Sequence, residues 1–276
     1  MPRGGMSIAR RGWRAWRSAL LATGALAAFV PGQAGAGAVF DRVKARGEMQ
    51  VCIWPGYHGV SYRHPRTREL SGIDIELSRQ FAQDLGVRIE YVDSTFASVA
   101  HDLLVRRCDV AMFAVGMMQP RMQEVRFSQP YLRSDMYAIT TKINPVVQQW
   151  SDIDRPGVAV AVQSGTLMQT VLVERLKNAT VVPVQLPESR ERELISGRVD
   201  VFMTNYAYAR RLMESADWAR LIQPPTPFFV IPAAYAVRPG DADWLAEVDA
   251  FVARIKSDGR LQAAAQRHGL GPLVVP

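Results

Sequence analysis

From residue 49 onward the hydrophobic positions fall into short apolar runs separated by stretches of four-residue spacing. Residues 49–54 read as a short apolar strand. Gly72-Ile73-Asp74 then opens a helix on which Ile73, Leu77, Phe81 and Leu85 recur until Gly86 ends it. Residues 87–92 alternate as a second strand, and 96–105 again has helical spacing. Residues 109–115 form the kind of apolar run carried by a parallel strand buried on both faces. Strand, helix, strand, helix, strand predicts an α/β lobe.

A second series follows Trp150-Ser151-Asp152-Ile153: a strand over 158–162, a helix near 167–176, a strand over 180–184, a helix over 190–195 and a strand over 199–203. The two series echo one another. In each, a helix leads through an Asp-Val step into an apolar strand, Asp109-Val110-Ala111-Met112 in the first and Asp200-Val201-Phe202-Met203 in the second. Two further extended runs, 137–141 and 233–237, bracket the second series. The reading is therefore a two-lobed α/β protein, with residues 39–140 plus 233–276 as one lobe and 141–232 inserted as the other. Two crossings between the lobes make a hinge.

The first 38 residues have the form of a secretory signal: Arg3, Arg10, Arg11, Arg14 and Arg17 with no acid, an apolar run from Ala19 to Val30, then small residues. That run is shorter than the ~20 apolar residues that span a bilayer, and it ends in Pro31-Gly32. Cleavage is expected after Ala36 or Ala38, by the general secretory route rather than the twin-arginine one, because Trp13 and Arg14 stand where the latter prefers an apolar pair. Removing the five arginines lowers the formal charge from +7 to +2 (7 − 5), so the basic character belongs mostly to the signal. Nucleic-acid binding, which wants clustered basic residues in the folded part, is disfavoured. The 238 residues that remain (276 − 38) suit two domains. Cys52 and Cys108 are the only cysteines, and in an oxidising compartment a disulfide and a pair of buried thiols both stay open. Two cysteines and four scattered histidines imply no metal site, and no cofactor motif is present.

The segments Gly72-Ile73-Asp74-Ile75-Glu76-Leu77, Asp109-Val110-Ala111-Met112, Pro120-Arg121, Phe127-Ser128-Gln129-Pro130-Tyr131, Gln163-Ser164-Gly165-Thr166 and Ser196-Gly197-Arg198-Val199-Asp200 stand in one order and spacing. Together they resemble the family 3 solute-binding proteins of bacterial ABC transporters, chiefly receptors for polar amino acids. The resemblance implies a periplasmic-binding-protein fold of the second type with a two-strand hinge. It also implies a monomer that delivers a small carboxylate-bearing solute to a membrane permease. It makes Arg121 the residue that clasps the solute carboxylate, which suits the bidentate geometry of a guanidinium, and it puts Tyr57 and Phe96 against the solute side chain. Ala114 and Gly116 complete the first-lobe part of the implied site, and Ser164, Gly165, Thr166 and Asn205 supply the second-lobe part. Backbone N–H groups at the strand-to-helix turn 164–166 favour an anion, and Thr166 also suits a helix cap. Trp54 and Tyr62 are further aromatic candidates.

Two departures bear on the ligand. Gly116 stands where family members usually carry Ser or Thr, and Asn205 stands where they usually carry the Asp that pairs with a ligand ammonium. A neutral residue there weakens the expectation of an ordinary α-amino acid. A rival reading is enzymatic, because exported cyclohexadienyl dehydratases share the scaffold and Asp154-Arg155-Pro156-Gly157-Val158 resembles their text. Their general acid falls at the place of Met168, however, and a thioether cannot donate a proton. A third reading is an accessory or sensory binding protein serving a dehydrogenase or signalling system.

Overall fold

The computed structural model describes residues 38–276 apart from residue 186, and the expected export signal falls outside the described residues but for Ala38. Chain order through the first part is α1 (Ala38–Arg46), β1 (Glu48–Ile53), β2 (Tyr62–Arg63), β3 (Leu70–Ser71), α2 (Ile73–Leu85), β4 (Arg88–Asp93), α3 (Val99–Leu104), β5 (Val110–Gly116), α4 (Gln119–Glu124), β6 (Arg126–Phe127) and β7 (Leu132–Ser134). The middle part runs β8 (Met136–Thr141), β9 (Ala159–Gln163), α5 (Leu167–Arg175), β10 (Thr180–Val184), α6 (Pro187–Ile195), β11 (Val201–Asn205), α7 (Tyr206–Ser215) and β12 (Ala219–Ile222). The chain closes with β13 (Ile231–Val237), α8 (Ala242–Ser257) and α9 (Arg260–Arg267).

Two sheets follow one plan. The first has the order β4-β1-β5-β13-β6, with β7 also on β13, and the second has β10-β9-β11-β8-β12. In each, three parallel strands come from consecutive strand-helix units and the fourth is antiparallel: β13 against β5, and β8 against β11. This is the two-lobed α/β fold. Alternation along the strands of the second sheet explains its two cores, since Met136, Ala138, Val160, Val162, Val201 and Met203 bury one face while Ile139, Ala161 and Phe202 bury the other.

The Asp-Val echo has one structural meaning in both lobes. The Asp109 N–H donates to Gln50 O (2.8 Å) and the Gln50 N–H donates back to Asp109 Oδ2 (2.9 Å). In the second lobe the Asp200 N–H donates to Ala159 O (2.9 Å) and the Ala159 N–H donates back to Asp200 Oδ2 (2.9 Å). Each aspartate thus closes the first backbone pair between neighbouring parallel strands and satisfies polar groups at the edge of a buried ladder.

The crossing expected after residue 140 requires correction. Met136–Thr141 pairs with β11 and β12, because its alternating apolar residues need the two cores of the second sheet. The chain leaves the first sheet at Ser134, and Asp135 is the link. Among the described residues no helix is long and apolar enough to cross a membrane.

Beneath the first sheet lies a buried carboxylate, Asp74, near the start of α2. It accepts from the hydroxyls of Tyr131 (2.5 Å) and Tyr235 (3.1 Å) and from the Ala114 N–H (2.8 Å). Ala114 sits at φ 49°, a left-handed conformation that costs a residue with a Cβ. There the β5–β13 register also shifts between Ala234 and Ala236. The anchored N–H holds β5 in that kink. Burial pushes the Asp74 carboxyl up to about 7, against the opposing effect of its three donors.

Cys52, in β1, and Cys108, ahead of β5, form a disulfide with Cα atoms 5.5 Å apart. The bridge closes a loop of 56 residues, so the Cys52→Ala/Cys108→Ala variant is expected to lose about 2–4 kcal/mol of unfolding free energy. Denaturant titration of the oxidised protein and the variant measures this. A second expectation concerns pH. Between about pH 4, where an unfolded aspartate titrates, and about 7, where Asp74 titrates in the fold, the native state holds the extra proton. The Asp74 contribution to stability is therefore present at low pH and falls as pH rises through that window, by roughly 1.4 kcal/mol per unit at most. Unfolding curves across pH 4 to 8 should show a downward component that Asp74→Asn removes.

Candidate functional site

Between the sheets, where the strand ends of both lobes face one another, lies a cavity of about 110 Å³. Tyr57, Phe96, Ala114, Gly116, Arg121, Thr166 and Asn205 line it, and Trp54 joins them. Tyr62 does not; its ring lies 3.7 Å from that of His58.

The aromatic side is a wall rather than a cage. Ring centroids of Trp54, Tyr57 and Phe96 stand 5.3, 5.0 and 5.7 Å apart, so the rings touch one another and leave no room for a guest between them. Phe96 rests in turn on Phe113, at 5.3 Å. Burial, with the Asp74 charge adding to it, raises the Tyr57 phenol above its ordinary value, which keeps it a neutral O–H. Met118, Leu167, Met168 and Ile231 continue the apolar lining.

Arg121 lies on α4, which begins three residues after β5 ends, with Pro120 at its start. Its Nη1 donates to Gly116 O (2.9 Å) and its Nη2 to Phe96 O (2.8 Å). Two of the five guanidinium donors are thereby used to fix the group, and three remain. Burial lowers the guanidinium from its ordinary range, and the Glu124 charge, acting through space, opposes that. A Cβ at Gly116 would meet Ile231 Cγ2 at 3.1 Å, so a side chain there requires Ile231 to shift by a few tenths of an ångström.

From the second lobe, Thr166 caps α5. Its hydroxyl donates to Gln163 O (2.7 Å) and accepts from the Gln169 N–H (3.4 Å). Ser164 and Gly165, expected at the site, are not part of the cavity wall. The Ser164 N–H donates to Val184 O (2.7 Å) and the Gly165 N–H to Gln169 Oε1 (2.8 Å), so the N–H groups expected to meet an anion are spent inside the lobe. Thr166-x-x-Gln169 is a capping-box spacing, the sequence signal for this internal use. Asn205 also caps a helix, its Oδ1 accepting from the Tyr208 N–H (3.0 Å).

Several cavity residues were absent from the sequence reading. Arg190, almost fully buried, donates Nη1 to Met203 O (2.7 Å) and stands 4.7 Å from the Tyr208 ring centroid and 5.2 Å from that of Phe202. Asp135, the link between lobes, also lines the cavity. Its Oδ1 accepts from Met136 N–H (2.7 Å) and Phe229 N–H (2.7 Å), and its Oδ2 from Phe228 N–H (2.9 Å). At the rim the lobes meet, with Arg210 Nη1 of α7 donating to His268 O (3.3 Å) beyond α9. The chemistry on offer is two guanidinium groups, Arg121 and Arg190, two amides, Gln163 and Asn205, the carboxylate of Asp135 and a broad apolar face.

Comparison with known proteins agrees with this architecture. The model of the family described as bacterial extracellular solute-binding proteins, family 3, matches residues 49–271. Cyclohexadienyl dehydratase of Pseudomonas aeruginosa is 26% identical over 225 residues, covering 80% of this chain and 82% of that protein. The L-cystine-binding protein TcyJ of Escherichia coli is 25% identical over 229 residues, covering 83% and 85%. Among solved structures, the ancestral amino acid-binding protein AncCDT-1, a precursor of cyclohexadienyl dehydratase, superposes with a TM-score of 0.75 at 26% identity, over 82% of this chain and 97% of that one. Two sheets of one plan facing a common cavity, and a family match that runs through both of them, lead to one conclusion: the chain belongs to the bacterial extracellular solute-binding proteins of family 3.

Proposed function

We propose that this protein captures a small carboxylate-bearing solute, an amino acid or related organic acid, outside the cytoplasm and delivers it as a monomer to an ABC permease. Residues 1–38 direct its export. The observation that carries the reading is Arg121: two backbone carbonyls hold its guanidinium at the cavity wall and three N–H donors are left for a ligand. A carboxylate takes two of those donors side by side. The Trp54, Tyr57 and Phe96 wall takes the apolar part of the solute. Relatives that bind L-cystine, and others named for arginine, support an amino-acid-type solute.

Similarity to a cyclohexadienyl dehydratase favours a second reading, in which the cavity performs an elimination. That chemistry calls for a proton donor beside the leaving group. Met168, at the place of the acid, lines the cavity as a thioether, and three of the about four acceptor positions of the Asp135 carboxylate are filled by backbone N–H groups. Capture therefore accounts for the site better than turnover does.

A thermal-shift screen of the purified protein against amino acids, organic acids and prephenate, with turnover assayed on each hit, separates the two. Stabilisation without turnover is expected, and conversion of prephenate would reverse the order of the readings. For any hit, Arg121→Ala should cost about 2–5 kcal/mol, because a carboxylate is left in the closed cavity without its partner. Calorimetry would register that as a loss of roughly 30-fold to several-thousand-fold; unchanged affinity would remove the carboxylate clasp.

A further inference from the structure

We propose that Asp135 is the counter-charge for a cationic group on the solute, so that the cavity selects a zwitterionic amino acid over the matching simple acid. This rests on the reading of Arg121 as the carboxylate clasp.

Position 205 carries no charge to pair with an ammonium. Asn205 is neutral, and one of the two acceptor positions on its Oδ1 is taken by the Tyr208 N–H as a helix cap. What the amide has left is one acceptor position and its two N–H donors, without the charge that offsets burial of an ammonium. Asp135 lines the same cavity as Arg121 and Asn205, and among the described residues it is the carboxylate that does so. Its orientation is set before any solute arrives: two N–H donors on Oδ1 and one on Oδ2 pin the group to both crossings of the chain. A carboxylate offers about four acceptor positions; with three filled, one remains, on Oδ2. The Asp135 anion, with one acceptor position open, shares the cavity with the guanidinium groups of Arg121 and of Arg190, the latter bonded to Met203 O and lying against the Phe202 and Tyr208 rings, and the set complements a molecule that carries both charges. A solute with acidic groups alone would meet Asp135 as a like charge. A preorganised charge also binds without the cost of ordering a mobile side chain.

The competing account gives Asp135 a structural role alone, as a staple between crossings. Matched probes that differ only in the α-amine distinguish the two: L-methionine and 4-(methylthio)butanoate, L-phenylalanine and 3-phenylpropanoate, L-arginine and 5-guanidinopentanoate. Calorimetry on the full mature protein is expected to show at least one amine-bearing member binding about tenfold or more tighter than its partner. In Asp135→Asn that ratio should fall towards one, the amine-bearing member losing more affinity than its des-amino partner. A wild-type protein that binds a des-amino member as tightly as its partner would overturn the proposal and leave the carboxylate clasp standing. A preference that survives in Asp135→Asn would overturn it too, as would equal losses for both members of a pair. Failure of every probe to bind would overturn the clasp, and this proposal with it. If the variant does not fold, a crystal structure of the wild-type protein with the preferred probe decides: the ammonium nitrogen is expected within hydrogen-bond distance of Asp135 Oδ2, and a nitrogen bound elsewhere overturns the assignment.

Discussion

A single carboxylate in the outgoing crossing, bonded to the backbone of the returning one, is the constraint on which the two-lobed arrangement turns. Asp135 accepts from the N–H groups of Phe228 and Phe229, more than ninety positions along the chain. The two sheets carry separate main cores, with Ala207 and Tyr206 of α7 packing on the first, so relative movement between the lobes concentrates where the chain passes from one sheet to the other. Tying the two passages together at that point limits them to bending as a pair. Because the same residue borders the cavity, the geometry of bending and the geometry of the site share an atom group.

Much of the fold was legible because buried parallel strands announce themselves. The apolar runs at 109–115 and 158–162 correspond to interior strands that pack on both faces, and their length and β-branched residues leave little room for another reading. Short edge strands and the helix α7 were not legible. Tyr206–Ser215 carries three arginine or glutamate residues among its last six, and its burial depends on Phe202 and Leu194 arriving from elsewhere. The site divides in the same way. Arg121, Thr166 and Asn205 sit at turns that local pattern identifies, whereas Asp135 and Arg190 line the cavity only because the second sheet approaches the first at one particular angle. Nothing within a few residues of either position carries that information. Ser164 and Gly165 lie off the cavity wall, their N–H groups bonded inside the lobe to Val184 O and Gln169 Oε1.

Buried polarity acts here on shape more than on net stability. Asp74 costs solvation when it enters the core of the first lobe, and two tyrosine hydroxyls and one backbone N–H offset that cost. What the cluster secures is the left-handed turn of the chain at Ala114, on the cavity wall. The unusual backbone is thus supported from behind by residues that never meet a solute, while the surface it presents forward is only a methyl group.

The two antiparallel strands reach their sheets at very different moments of synthesis. The second lobe, from Met136 to Ile222, is continuous, and its sheet has every strand once β12 has emerged. The first sheet must wait for β13, which brings Tyr235 to Asp74, and then for α8, which sets Trp244 Nε1 on Asp109 O at 2.8 Å. During that interval the N-terminal half has an unfilled position in the middle of its sheet, between β5 and β6. Domains that fold as units during translation normally finish in order from the N-terminus. Here the lobe begun first is the one completed last, and the inserted lobe can be native while its host is still open.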